Sequence, residues 1–233
     1  MAAAEKLELL AQLEEAHRER ARSNLNDYCR YIEIPGAPVV NDSCALGDDC
    51  KDPDCTEHEI STAFYADNVI PAEHHELINN TLDDVIAGTK KRVMLFMPPG
   101  SAKSTYGSVT FPSYAMGKLP GKNVISTSYG STLAKKFGRK VRAIAKQPQY
   151  RELWDCGLKG DNAAVDDWAL QNESTYMCGG ILSGITGNRA DILLIDDPIK
   201  GREDADSPTI REKTWEAYLT DPRTRLKPTG SIV

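Results

Sequence analysis

The stretch Arg92-Val-Met-Leu-Phe-Met-Pro-Pro-Gly100-Ser-Ala-Lys103-Ser104-Thr105 restricts the fold more than any other part of the chain. The apolar run Val93 to Met97 predicts a strand, Pro98-Pro99-Gly100 stops it, and Lys103-Ser104 opens a helix. A strand feeding a helix through a tight loop is the physical plan of a phosphate-binding loop. Backbone N–H groups of the loop and the helix N-terminus face phosphate oxygens, a lysine neutralises the β and γ charge, and a hydroxyl takes Mg²⁺. Pro99, Gly100, Ser101, Ala102, Lys103, Ser104 and Thr105 are therefore the expected phosphate-binding residues. The run departs from G-x-x-x-x-G-K-[ST] twice, with Met97 at the first glycine position and Ala102 at the second. Taken by itself it also reads as an ordinary strand-to-helix turn.

A second apolar run supplies the missing partner. Ile192 to Ile195 predicts a strand buried on both faces, and it ends in Asp196-Asp197. At such an edge Asp196 can hold Mg²⁺ beside the Ser104 hydroxyl, and Asp197 can polarise an attacking water. Around these two runs, helices and short strands alternate. Leu77, Ile78, Leu82, Val85 and Ile86 form a helical stripe ending near Gly88, residues 124–128 read as a strand, and residues 131–145 read as a helix. Residues 165–182 switch to two-residue alternation about the turn Asn172-Glu173-Ser174, which predicts a β-hairpin. Ser207-Pro208 opens a last helix with Ile210, Trp215, Tyr218 and Leu219 expected inward. The alternation predicts an α/β fold with a mainly parallel central sheet flanked by helices.

Composition narrows the function classes. Lys+Arg 28 against Asp+Glu 34 gives a net charge of −6, so the chain is not a basic fold that coats nucleic acid by bulk electrostatics. No apolar stretch approaches the ~18 residues of a membrane span, and Glu5, Lys6 and Glu8 do not suit a secretory signal. Residues 3–22 predict an amphipathic helix through Leu9, Leu13 and Ala16. The acidic segment after it carries Cys44, Cys50, Cys55 and His58, the ligand set and number of a closed zinc site; free thiols in a loop are the competing reading. Lys135, Lys136, Arg139, Lys140 and Arg142 cover one helix face, either as a solvated surface or as a contact for DNA phosphates.

From Pro71 to Val233 the chain resembles the ATPase domain of phage large terminase subunits, motors that pump double-stranded DNA into procapsids. The runs that carry the resemblance are Pro71-Ala-Glu-His-His75, Met97-Pro-Pro-Gly-Ser-Ala-Lys-Ser-Thr-Tyr106, Gly184-Ile-Thr-Gly-Asn-Arg-Ala-Asp191, Ile195-Asp-Asp-Pro198, Ala205-Asp-Ser-Pro-Thr-Ile-Arg211 and Thr224-Arg-Leu-Lys-Pro228. It implies a P-loop NTPase of the additional-strand (RecA-like) type over residues 71–233, preceded by an N-terminal helix and cysteine-containing insert over residues 1–70. It implies ATP and Mg²⁺ as ligands, Lys103 and Ser104 as Walker A groups, Asp196 as the Walker B carboxylate and Asp197 as the catalytic one. Most terminases carry glutamate at that last position, one methylene longer. His75, with His74, matches the position of the adenine-contacting element, and Arg189 matches an arginine that reaches a neighbour's nucleotide, with Arg223 and Arg225 as competing candidates.

The implied partners are double-stranded DNA, a small terminase subunit, a portal or procapsid and further copies in a homo-oligomeric ring, in the host cytoplasm and away from membranes. The coupling segment and nuclease domain of such proteins are expected to lie beyond residue 233, so this chain is not expected to cut DNA. Two other classes fit parts of the sequence: another P-loop DNA-dependent ATPase such as a helicase or translocase, and a zinc-binding interaction module.

Overall fold

The computed structural model describes residues 3–36, 71–160, 164–185 and 187–233. Helix α1, Ala3–Ser23, leads into α2, Leu25–Tyr31, whose start is capped by the Asn24 side chain accepting the Asp27 N–H. Helix α3, Glu73–Ile86, buries Ile78, Leu82 and Val85 as its stripe predicts, although Leu77 points outward and is 69% exposed. The Leu25 N–H donates to the Asp83 carboxylate at 3.0 Å, so α2 and α3 are pinned together. That carboxyl is pushed above the usual carboxylate range by burial, against the bond from Leu25.

The sheet has five strands: β1 Asn123–Ser128, β2 Asp167–Ala169, β3 Thr175–Gly180, β4 Ala190–Ile195 and β5 Leu226–Ile232. Their spatial order is β2-β3-β1-β4-β5. β1 runs parallel to both β3 and β4, β4 runs parallel to β5, and only β2 is antiparallel. The fold is α/β, with a mostly parallel sheet flanked by helices. Tyr176 on β3 faces Trp168 on β2 across the predicted hairpin, their rings stacked 5.2 Å apart.

Lys103–Thr105 forms α4, a π turn spans Tyr106–Thr110, and Phe111–Lys118 continues as α5. Helix α6 is Ser131–Ala145, α7 is Pro148–Trp154, α8 is Gly201–Asp206, α9 is Pro208–Thr220 and α10 is Pro222–Arg225. The helices opening at Lys103, at Ser131 and after Ser207 stand where the sequence predicts, and three short ones, α7, α8 and α10, are not foreseen by it. The larger core cluster joins α2, α3, α5, α6 and α7 to the sheet through Tyr28, Leu82, Phe111, Tyr114, Ile144, Tyr150 and Trp168. On the opposite face Ile125, Ile185, Ala190 and Leu193 form a much smaller one.

Two expectations are corrected. Residues 93–97 do not form a strand: Arg92 makes a single parallel bridge to Ile232, with the Val93 N–H donating to the Ile232 carbonyl at 2.9 Å. Past Val93 no backbone hydrogen bond to β5 is formed among the described residues, and Met94 and Phe96 turn out, 82% and 87% exposed. Helix α9 is capped by Ser207 as predicted, and of its expected inward residues Ile210, Tyr218 and Leu219 are half-buried, with Tyr218 against the smaller cluster, while Trp215 is not covered. Thr214 is its buried residue, while Trp215 is 56% exposed; α9 packs chiefly on α8 and α10. Among the described residues no helix is long and apolar enough to cross a membrane.

Candidate active site

The C-terminal edge of the parallel strands is where an open α/β sheet leaves room for a ligand. β4 ends there. The Asp196 N–H donates to the Thr127 carbonyl at 2.8 Å, carrying the β1–β4 ladder one residue past the strand. Asp197 then takes a left-handed backbone, φ 45°, and its carbonyl accepts the Tyr129 N–H at 3.0 Å. Asparagine and aspartate tolerate this conformation better than other side-chain-bearing residues.

The lysine arrives from the other side of the cleft. Gly100 has φ 82° and Ala102 φ 57°, and the Ser101 hydroxyl donates to the Pro98 carbonyl at 2.7 Å, tightening the loop before α4. Ala102 occupies the second glycine position of the phosphate-loop pattern, and it keeps the left-handed backbone that favours glycine there. The Lys103 ammonium lies 3.2 Å from Asp196 Oδ1 and 3.0 Å from Asp197 Oδ1. Burial works against that charge, but the two carboxylates outweigh it and hold the lysine above its ordinary pKa.

Asp196 is nearly buried, 5% exposed, and its second oxygen accepts a hydrogen bond from the Ser108 hydroxyl at 2.8 Å. The sequence names Ser104 as the Mg²⁺ hydroxyl and gives no role to Ser108. Ser108 lies four residues after Ser104, inside the π turn, and its bond to Asp196 is a tertiary contact without a local sequence signal. Lys103, Ser108, Asp196 and Asp197 border a cleft of about 980 Å³ whose far wall includes Phe96, Trp215 and Tyr218. This is room enough for a nucleotide-sized molecule. The donor set at its polar end is made of carboxylate and hydroxyl oxygens, the hard ligands that Mg²⁺ takes, so the residues fit that ion.

His75 is brought to the loop. Its Nδ1 accepts the Ala72 N–H at 3.1 Å, which leaves the proton on Nε2 to be donated to the Ser101 carbonyl at 3.1 Å. The ring stacks on Tyr106 at 4.4 Å. Burial, followed by the neighbouring His74, lowers its pKa despite the Ser101 bond. His74 is exposed beside it.

Arg189 lies elsewhere. It precedes β4, at the strand end remote from Asp196, about 20 Å away at the usual ~3.3 Å rise per residue. It is not among the residues that line the cleft at Lys103, Asp196 and Asp197. Arg225 pairs with Asp221 at 3.1 Å, and Arg223 is exposed. On α6, Lys135 is paired with Asp166 at 2.6 Å, while Lys136 and Arg139 are exposed. Cys44, Cys50, Cys55 and His58 lie outside the described residues. Among the described residues no cluster of three or more His, Cys, Asp or Glu side chains could hold a metal ion. Compared with known proteins, the chain matches no family model and no curated protein.

Proposed function

We propose that the chain is a P-loop ATPase of the additional-strand type, the motor domain of a viral large terminase subunit, which hydrolyses ATP to drive double-stranded DNA into a procapsid. The observation that carries this reading is the contact of Lys103 with both Asp196 and Asp197, which joins the two predicted nucleotide motifs from opposite halves of the sequence. The position of β5 supports the class, because it intervenes between β4 and the residue 91–93 segment that leads into the loop. A strand placed between the Walker B strand and the loop strand is what the additional-strand type denotes.

In this reading Lys103 and the loop N–H groups receive the β and γ phosphates, the start of α4 adding its partial positive charge. Mg²⁺, when bound, neutralises phosphate charge and polarises the γ-phosphoryl group. Asp196 and the Ser104 hydroxyl are the residues that would hold it. Asp197, more than half exposed at the mouth of the cleft, orients the water and takes its proton. Arg189 acts on the nucleotide of a neighbouring subunit in the ring, which its distance from its own Asp196 favours. The further partners in this proposal are the small terminase subunit and the portal of the procapsid.

The test is ATP hydrolysis by the protein alone and with double-stranded DNA and procapsids. Turnover that rises with assembly and is abolished in Lys103→Ala supports the motor reading. Duplex unwinding without procapsids moves the chain to the helicases, and no hydrolysis in any setting overturns the proposal.

A further inference from the structure

We infer that Ser108 is a positioning residue that fixes the orientation of the Asp196 carboxylate for divalent-metal binding. The inference rests on the ATPase reading above.

A serine or threonine hydroxyl inside a helix ordinarily bonds back to the carbonyl one turn earlier. This molecule shows that habit close by: Thr110 donates to the Tyr106 carbonyl at 3.0 Å, and Ser113 donates to the Thr110 carbonyl at 2.7 Å. Ser108 does otherwise. Its hydroxyl leaves its own helix and donates at 2.8 Å to Asp196 Oδ2, at the end of β4. Both residues are 5% exposed, so the bond forms where water competes little and its geometry is worth more than at a surface.

The local backbone lets this happen. Ser108 is the middle residue of the π turn Tyr106–Thr110, in which the Phe111 N–H reaches back to the Tyr106 carbonyl. A π turn adds one residue to the helical register, so Lys103 and Ser108 face the cleft while Phe111 and Tyr114 still enter the core. Single π turns are kept mainly at functional sites, since they cost regular hydrogen bonds.

The consequence falls on Asp196. With Oδ2 fixed by Ser108, Oδ1 is the oxygen left toward Lys103 and the cleft. One carboxylate oxygen is thus presented in a set direction, which a metal with strict octahedral geometry requires of its ligands. Ser108 does not touch the nucleotide or the reacting atoms in this account; it acts through Asp196.

The experiment is a titration of the folded protein with Mn²⁺, an ion that prefers the same oxygen ligands as Mg²⁺, followed by electron paramagnetic resonance in the presence of ATP. ATP affinity without metal is measured alongside. Ser108→Ala should weaken Mn²⁺ binding about tenfold, the size expected for one hydrogen bond to a charged acceptor, and leave metal-free ATP affinity unchanged. Ser108→Thr keeps the donor and should restore Mn²⁺ affinity. If Ser108→Ala does not fold, Ser108→Cys, a near-isostere with a poor donor, carries the comparison and should show the same loss. Wild-type Mn²⁺ affinity in the folded Ala or Cys variant overturns the inference while leaving the ATPase reading intact. Failure of the wild-type protein to bind ATP at all overturns both.

Discussion

The Lys103 ammonium stands 3.2 Å from Asp196 Oδ1, so the first residue of α4 and the residue that closes β4 share one ion pair across the cleft. Asp197 completes it at 3.0 Å. The three side chains differ in burial: Asp196 is nearly enclosed, Lys103 is about a quarter exposed and Asp197 more than half. That gradient assigns them different work, with the enclosed carboxylate suited to a fixed ligand and the exposed one to contact with water.

The aspartates should therefore separate in substitution. Asp196→Asn should weaken Mg²⁺-dependent ATP binding together with turnover. Asp197→Asn should leave binding close to normal while lowering turnover by roughly 10²-fold or more, the usual scale of a general-base contribution. ATP affinity measured beside steady-state hydrolysis checks both. Full hydrolysis in Asp197→Asn would move the base elsewhere, to Glu203 or Asp204 on α8.

Ala102 gives a test of the loop backbone. At φ 57° its methyl group is disfavoured by about 1 kcal/mol, which glycine avoids. Ala102→Gly should be neutral or slightly stabilising, and Ala102→Val should cost about 1–2 kcal/mol, since a β-branched side chain suits that region least. Urea denaturation resolves the two. A Val variant as stable as the wild type would contradict the left-handed loop.

His75 should make the stability of the loop depend on pH. Its folded pKa lies below the ordinary histidine value, so the fold favours the neutral ring. The contribution is fully present above about pH 6.5 and is lost as pH falls through the lowered folded value. Protonation would turn Nδ1 into a donor facing the Ala72 N–H, breaking that bond. Thermal melts of wild type and His75→Asn from about pH 5 to about pH 8 should show a stability gap that narrows toward the acid end. A gap that widens on acidification would contradict the neutral tautomer.

Gly138 tests the packing of α6 on β3. A Cβ built there would lie 2.8 Å from Cys178 Sγ and 3.0 Å from the Val165 carbonyl, the latter a backbone atom that cannot swing away. Gly138→Ala should destabilise by about 1–3 kcal/mol despite the better helix propensity of alanine. Denaturant midpoints decide it; a stabilised variant would show that α6 is free to shift.

Much of this fold was legible where a local rule decides. The apolar run ending in Asp196-Asp197 gave a buried strand because four successive apolar residues suit a strand covered on both faces, and Ser207-Pro208 gave a helix start because the cap is a local hydrogen bond. The failures lie where a partner decides. Residues 93–97 carry strand composition, yet a strand needs a ladder of bonds alongside, and β5 bonds to this run only at Val93, next to the Arg92 bridge. Trp215 sits on a helical stripe, yet burial needs a surface to pack on. Ser108 escaped notice because its bond to Asp196 is tertiary, and alanine at the second glycine position hid a left-handed backbone that Ala102 nonetheless adopts.

The most direct test of the nucleotide site is calorimetric titration of the wild-type protein and Lys103→Ala with ATP in the presence of Mg²⁺. Under the proposed ATPase reading the wild type binds saturably at one site per chain, and Lys103→Ala loses at least about tenfold in affinity, because it removes the charge proposed to face the β and γ phosphates. Equal affinity in the two proteins, or no binding by the folded wild type, would contradict the assignment of Lys103, Asp196 and Asp197 to a nucleotide.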